Sequence, residues 1–214
     1  MQGQLTAVGT RRFASDASHD LRSPITAMRV QVEEAQLHPD EADWPQVAVA
    51  LEAGFDLLEA IVTDLLALAR LDSSATSAKD HVDLGQLVAS ELRRRPAQRR
   101  IVTNLQPGVV IAGDRLQLSR LLTNLVDNAE RYAAAMVRVS VRREGDEAVL
   151  EVQDDGPGIP PEHREVVFDR FIRLDTARNK ETKGTGLGLP IARGIAAQHG
   201  GALTIQDSEQ GAPS

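Results

Sequence analysis

Asp114-Arg115-Leu116-Gln117-Leu118-Ser119-Arg120-Leu121-Leu122-Thr123-Asn124-Leu125-Val126-Asp127-Asn128-Ala129-Glu130-Arg131-Tyr132 reads as one helix with two faces. Leu118, Leu121, Leu122, Leu125, Ala129 and Tyr132 are spaced for burial, while Arg120, Asn124, Asn128 and Arg131 follow one another along a second line. Two carboxamides and two guanidinium groups in a row suit a metal-bound polyphosphate. An Asn offers a neutral carbonyl oxygen to Mg²⁺, an ion that keeps water and substrate oxygens for its other positions. An ordinary amphipathic helix with its polar side in water has the same pattern, so the stripe alone leaves both readings open.

Around this helix the texture is mixed α and β. Asp83 to Val88 opens a helix, and Arg100–Leu105 and Val109–Ile111 read as short strands. Met136–Arg142 and Ala148–Gln153 read as neighbouring strands joined by the turn Glu144-Gly145-Asp146-Glu147. A Gly/Pro-rich loop, a short helix around Phe168, a polar loop from Asp175 to Lys183, a helix from Leu187 to His199 and a last strand Ala202–Ile205 follow. Arg93, Arg94, Arg95, Arg99 and Arg100 form a basic cluster that reads as a solvated helix end rather than an anion site.

Upstream, apolar periodicity stops at Asp72-Ser73-Ser74-Ala75-Thr76-Ser77-Ala78-Lys79-Asp80, which marks a break between two domains. Before it, Leu51, Phe55, Leu58, Val62, Leu65 and Ala69 recur at alternating spacings of four and three, as in a helix bundle. Leu21, Ile25, Met28, Val32 and Ala35 repeat the pattern, and the loop from Leu37 to Pro45 joins the two into a hairpin. Two helices cannot enclose a core, so pairing with a second hairpin as a four-helix bundle, and hence a homodimer, is expected.

With 24 Lys and Arg against 31 Asp and Glu, the net charge of −7 argues against a duplex nucleic-acid binder but leaves room for a small anion held by local cations. The absence of cysteine excludes disulfides, thiolate zinc sites, iron–sulfur clusters and thiol nucleophiles together. No uninterrupted apolar run approaches a membrane span, and Met1-Gln2-Gly3-Gln4-Leu5 is not a signal peptide, so a cytoplasmic location is expected for this stretch of chain.

Three further segments carry chemistry. In Ser18-His19-Asp20-Leu21-Arg22-Ser23-Pro24, His19 lies about 160° around the helix from Leu21 and so points away from the apolar seam. An exposed imidazole beside a carboxylate can act as a nucleophile, and a surface His-Asp pair followed by a helix-starting proline has the same sequence. Asp154-Asp155-Gly156-Pro157-Gly158-Ile159-Pro160 ends a strand, where glycines admit a ligand close to the backbone and a carboxylate can accept from an exocyclic amino group such as adenine's. Gly184-Thr185-Gly186-Leu187-Gly188-Leu189 leads into a helix whose N–H groups favour phosphate. It is neither a dinucleotide fingerprint nor a P-loop, since no apolar strand precedes it and the spacing differs.

The order of these segments is more specific than any one of them. His19–Pro24, Asn124-Leu125-Val126-Asp127-Asn128-Ala129, Asp154–Gly158, Val167-Phe168-Asp169-Arg170-Phe171 and Gly184–Gly188 resemble the H, N, G1, F and G2 boxes of two-component sensor histidine kinases over nearly the whole chain. The resemblance implies an α plus α/β fold: a dimeric four-helix bundle bearing the phosphoacceptor histidine (residues 1–72), a linker (73–82) and an ATP-binding α/β sandwich of the GHKL (Bergerat) type (83–214). It implies ATP-dependent autophosphorylation of His19 and transfer to an aspartate in a response regulator's receiver domain. Asp20 then orients or deprotonates His19, Asn128 is the Mg²⁺ ligand, Asn124 stands near the phosphates, and Arg131 and Tyr132 are the positions at phosphate and adenine. Asp154 reads the adenine amino group beside Gly156 and Gly158. Gly184, Gly186, Leu187 and Gly188 form the far end of an ATP lid running from about Ile159, Arg173 approaches the γ-phosphate, and Phe168 and Phe171 pack the lid. His38, His81, His163 and His199 match no acceptor position.

The chain departs from the pattern in two places. Ser23 stands four residues after His19, where many relatives carry a Thr or Asn implicated in dephosphorylating the regulator, and its hydroxyl leaves that activity open. Relatives usually continue with another strand past the final glycine, so the sandwich is expected to lack one; the segment is read as the cytoplasmic core of a membrane-anchored sensor, itself touching neither membrane nor nucleic acid. A nucleotide-binding scaffold without transfer would have no need of both His19 and Asn128, and a GHKL serine kinase or ATPase gives no reason for the hairpin.

Overall fold

The computed structural model describes residues 21–72, 80–96, 98–174 and 185–206. Its first part is helical. Helix α1 occupies residues 21–37 and α2 runs Trp44–Asp72, started by Asp43, whose Oδ1 accepts the Gln46 N–H at 3.1 Å. Residues 21–23 are already helical, so Pro24 is inside α1 and does not begin it. Gly54 of α2 lies against Met28 of α1 so closely that a Cβ there would collide with the Met28 side chain.

Within one chain only part of the α2 seam is covered. Phe55 and Val62 are 61% and 47% exposed and Ala69 is exposed as well, whereas Ile61, Ala67 and Leu68 are buried. Helix α2 is apolar around much of its circumference: one face meets α1, a second meets the next domain, and the third lies uncovered in a single chain.

The second part combines strands β1 (Asp80–Asp83), β2 (Arg100–Leu105), β3 (Val110–Gly113), β4 (Met136–Glu144) and β5 (Glu147–Asp154) with helices α3 (Leu84–Arg94), α4 (Arg115–Tyr132) and α5 (Gly188–Gln198). A three-stranded sheet has the order β2-β4-β5, with β4 parallel to β2 and antiparallel to β5, and β1 pairs antiparallel with β3. The parallel step from β2 to β4 needs a crossover, and α4 supplies it. Val137, Val139 and Val141 alternate into the core with exposures of 0–1%. They pack with Leu87 and Val88 of α3 and Leu118, Leu122, Val126 and Ala129 of α4. A second core joins Leu121 of α4 and Leu187, Ile191 and Ile195 at α5 to Ala67 and Leu68 of α2.

Most strand and helix positions match the sequence reading, and four details differ. Strand β1 falls in the stretch read as linker, because Val82 is its one apolar residue and shows no alternation. The helix expected around Phe168 is a single 3₁₀ turn, Val166–Phe168. Residues 202–205 form no ladder with the described strands, although Leu203 and Ile205 are half-buried and Ala202 and Thr204 exposed, so the period-two pattern is present without a partner. The arginine cluster is not merely a solvated helix end. Arg95 donates to Glu130, itself 3% exposed, at 2.6 Å and pairs with Asp127, while Glu130 also accepts the Gln98 and Arg99 N–H groups. These contacts fasten the α3–β2 connection to the last turns of α4.

Candidate functional site

Helix α4 is set in place at both ends. Asp114 caps it, its Oδ1 accepting the Leu116 and Gln117 N–H groups at 2.8 and 3.2 Å. The Asp114 N–H donates to His199 Nε2 at 3.0 Å, so the other ring nitrogen carries the proton and donates to the Ile195 carbonyl at 2.8 Å. His199, which matched no motif, thus ties the end of α5 to the start of α4.

So held, α4 turns its polar stripe toward a cavity of about 1150 Å³ rather than to open water. Arg120, Asn124, Asn128 and Arg131 are all only partly exposed and all line it. The stripe therefore lines a cavity instead of an open solvent face. Tyr132, Asp154, Gly158, Arg173, Gly186 and Gly188 line the same cavity, so residues dispersed over much of the chain converge there. Asn124 Nδ2 is buried without a hydrogen-bond partner, a donor that fits an anionic oxygen arriving in the cavity.

Asp154 and Asp155 divide their work by environment. Asp155 folds back on the backbone, its two oxygens accepting the Ala135 and Met136 N–H groups at 3.0–3.1 Å, and these bonds hold its carboxyl below the usual range. Asp154 faces the cavity. Burial pushes its carboxyl above the ordinary value, the Gly156 N–H donating to Oδ1 at 2.9 Å works the other way, and the neighbouring Asp155 charge adds to the rise. A carboxylate that is half-desolvated and holds one donor from its own loop is suited to a second, external donor. Gly156 is required by space: a Cβ there would run into the Tyr132 carbonyl and stand 2.6 Å from Asp154 Oδ1. Gly158 and Gly186 adopt positive φ of 70° and 68°, which glycine alone takes without strain.

The base of the glycine-rich turn is stitched to the preceding segment. The Phe171 N–H donates to the Gly186 carbonyl at 3.0 Å, and Phe171 itself has φ +65°. Phe168 is buried beneath Arg193, whose guanidinium carbon is 4.6 Å from the ring centroid. Leu187 does not face the cavity; its side chain is fully buried in the second core, and its N–H donates to Thr185 Oγ1 at 3.2 Å. Ser23 is exposed on α1 beside a shallow depression with Arg22, Thr26 and Ala27, apart from the cavity. His19, Asp20 and Gly184 lie outside the described residues.

No set of three or more His, Cys, Asp or Glu side chains among the described residues has the arrangement of a metal site. A divalent ion at Asn128 would therefore draw most of its ligands from polyphosphate and water, the donor set that Mg²⁺ prefers. The sequence reading missed Asp64 and Thr185, which meet at the rim of the cavity with Arg120. Nothing in the periodicity of α2 distinguishes Asp64 from its other surface acids.

Residues 10–74 match the His Kinase A (phospho-acceptor) domain, and residues 113–212 match the Histidine kinase-, DNA gyrase B-, and HSP90-like ATPase. The chain is 35% identical over 210 residues to the sensor histidine kinase RppB of Synechocystis sp., covering 92% of this chain and 46% of that protein. It is 36% identical over 213 residues to the signal transduction histidine-protein kinase/phosphatase MprB of Mycobacterium leprae, covering 94% of this chain and 40% of that protein. Among solved structures, the Acinetobacter baumannii histidine kinase AdeS superposes with a TM-score of 0.65 at 23% identity, covering 90% of this chain and 92% of that one, and shares the fold. The chain spans less than half the length of the curated relatives named here.

Proposed function

This chain belongs to the two-component sensor histidine kinases and carries their catalytic core, and from that premise we propose that it phosphorylates His19 from ATP and passes the phosphoryl group to an aspartate of a response regulator's receiver domain. The observation that carries the reading is the convergence of Asn124, Asn128, Arg131, Tyr132 and Asp154 on one cavity, with an unpartnered amide at Asn124. Asp154 accepts from the adenine amino group, and its raised carboxyl gains most from that donor when ionised. Tyr132 lies along the base, while Asn124, Arg131 and Arg173 face the phosphates. Asn128 would hold Mg²⁺, which would neutralise charge on the phosphates.

His19 is the phosphoacceptor and Asp20 keeps its imidazole oriented, one nitrogen protonated and the other free. The free nitrogen attacks the γ-phosphorus in line, the bond from phosphorus to the bridging oxygen breaks, ADP leaves, and the proton on the other ring nitrogen passes to Asp20. In the same reading residues 1–72 are the phosphoacceptor hairpin, 73–82 a connector and 83–214 the ATP-binding unit, with β1 attached to the last of these. Gly156, Gly158, Gly184, Gly186, Leu187 and Gly188 shape the loops around the nucleotide, Leu187 from beneath.

The uncovered face of α2, where Phe55, Val62 and Leu66 are 61%, 47% and 56% exposed, supports burial against a second hairpin in a homodimer. The Ser23 hydroxyl and the kinase/phosphatase name of one relative support a phosphatase activity toward the phosphorylated regulator. No described helix is long and apolar enough to cross a membrane, and we place this core on the cytoplasmic side of a membrane-anchored parent.

The test is Asn128→Ala. If Asn128 ligates the metal, autophosphorylation across a Mg²⁺ titration should collapse at low Mg²⁺ while the thermal midpoint of the apo protein stays within a few degrees, since Ala is the better helix former by roughly 0.5–0.7 kcal/mol. Normal labelling at low Mg²⁺ with an unchanged midpoint would remove Asn128 from the metal site.

A further inference from the structure

Asp64 joins the two domains at the cavity rim. Its Oδ1 accepts from Arg120 Nη2 at 2.9 Å and its Oδ2 from Thr185 Oγ1 at 2.9 Å. The same Arg120 nitrogen also donates to the Thr63 carbonyl at 2.9 Å. Neither charged side chain is free in water: Asp64 is 16% exposed and Arg120 27%. Arg120 sits one helical turn before Asn124 and two before Asn128, while Thr185 opens the glycine-rich turn. All of them line the same cavity.

The surrounding contacts make this a docked arrangement. Below Asp64, Ala67, Leu68 and Leu71 pack on Ile191 and its neighbours in α5, and Gln198 Nε2 donates to the Leu71 carbonyl at 3.0 Å. Above it, Asp56 and Glu59 of α2 add two more carboxylates to the cavity wall, and Arg70 one guanidinium, so the α2 wall is net negative. A docked α2 therefore presents negative charge to the space a polyphosphate would enter, and spends a guanidinium and a hydroxyl of that space on its own carboxylate. Arginine pairs with carboxylate and phosphate through the same donors, so one anion can replace the other.

We propose that Asp64 is an internal anion that occupies Arg120 and Thr185 and docks the ATP-binding unit on α2, and that the phosphates of a nucleotide displace it. The inference rests on the nucleotide reading of the cavity and adds Arg120 and Thr185 to the groups that face phosphate. Docking and nucleotide binding then oppose each other, and the apparent dissociation constant is raised by the docked fraction.

Two measurements test this on the whole chain. In calorimetric titrations with a non-hydrolysable ATP analogue and Mg²⁺, Asp64→Asn should bind about three- to tenfold more tightly than the unaltered protein. In an Arg120→Ala background the same substitution should change binding less than about twofold, because the shared partner is gone. The chain has no cysteine, so spin labels at Glu52→Cys and Glu147→Cys, both exposed, report the separation of α2 from the sheet in dimers diluted with unlabelled chain. That distance should lengthen when the analogue is added and should already be long in Asp64→Asn alone. Nucleotide binding by the unaltered protein with no gain in Asp64→Asn, or a label distance that ignores the analogue, overturns the proposal and leaves the functional reading standing. Failure of the unaltered protein to bind the analogue overturns both.

Discussion

Replacing Gly156 with alanine tests whether the Asp154 loop is shaped by space or by backbone torsion. Gly156 does not have a positive φ, so alanine is allowed there by its backbone. What forbids it is the neighbourhood: the new methyl would run into the Tyr132 carbonyl and lie 2.6 Å from Asp154 Oδ1. The carbonyl belongs to the last turn of α4 and cannot yield cheaply, so the loop must shift and break the 2.9 Å bond from the Gly156 N–H to Asp154. Loss of a hydrogen bond to a partly buried carboxylate costs about 1.5–3 kcal/mol, equal to roughly ten- to a hundredfold in nucleotide affinity. Gly158→Ala has the opposite character: φ is +70° but the space around a Cβ is open, so the cost is torsional and about 1 kcal/mol. Calorimetric titration with an ATP analogue, paired with thermal midpoints, separates them. Equal affinity for Gly156→Ala and the unaltered chain, at an equal midpoint, would refute the steric argument.

Three other outcomes follow from the geometry. Burial raises the Asp154 carboxyl, so it takes up a proton at a pH above the usual carboxylate range, and nucleotide affinity should fall as pH drops through that raised value; Asp154→Asn should bind weakly at every pH, and a titration that shows no acid-side loss in the unaltered protein would contradict the assignment. Asp155 has the reverse sign: its stabilisation is complete above the ordinary carboxylate value and is lost as pH falls through its lowered one, which thermal melts of Asp155→Asn against pH would show as a lost acid-side slope. Glu130→Ala removes the more buried of the two carboxylates that pair with Arg95 and the acceptor of two backbone N–H groups, and should cost about 3 kcal/mol, or a midpoint lowered by about 6–12 °C; a midpoint unchanged within a degree would show that the cluster holds nothing.

How far the sequence could be read depended on where periodicity was informative. Helix α4 and strand β4 were legible because their burial follows the helical and strand periods, and a 3.6-residue stripe of amides and guanidinium groups is visible without coordinates. Strand β1 was not, since one buried valine among Asp80, His81 and Asp83 has no pattern to detect. Which residues of α2 are covered within one chain was not legible, because a helix that meets different partners around its circumference satisfies several seams at once. Glu130 and Asp64 were invisible for a further reason: an acid on a helix looks solvated until the fold brings Arg95 or Arg120 to it from another element. The expected site residues came from the order of the motifs; the cavity adds that several of them share one wall and that the polar stripe is not a solvent face.

The proposed reaction is transfer of a phosphoryl group from the cavity to His19. The direct measurement is incubation with γ-labelled ATP and Mg²⁺, followed by acid and alkali treatment of the protein, on the unaltered chain and on His19→Gln, with ATP binding measured in parallel. A phosphoramidate is acid-labile and alkali-stable. Such a label is expected on the unaltered protein and none on His19→Gln, with ATP affinity the same in both, because Asn124, Asn128, Arg131, Tyr132 and Asp154 all belong to residues 83–214. An alkali-stable, acid-labile label that persists on His19→Gln, or no label on an unaltered protein that binds ATP, would contradict it.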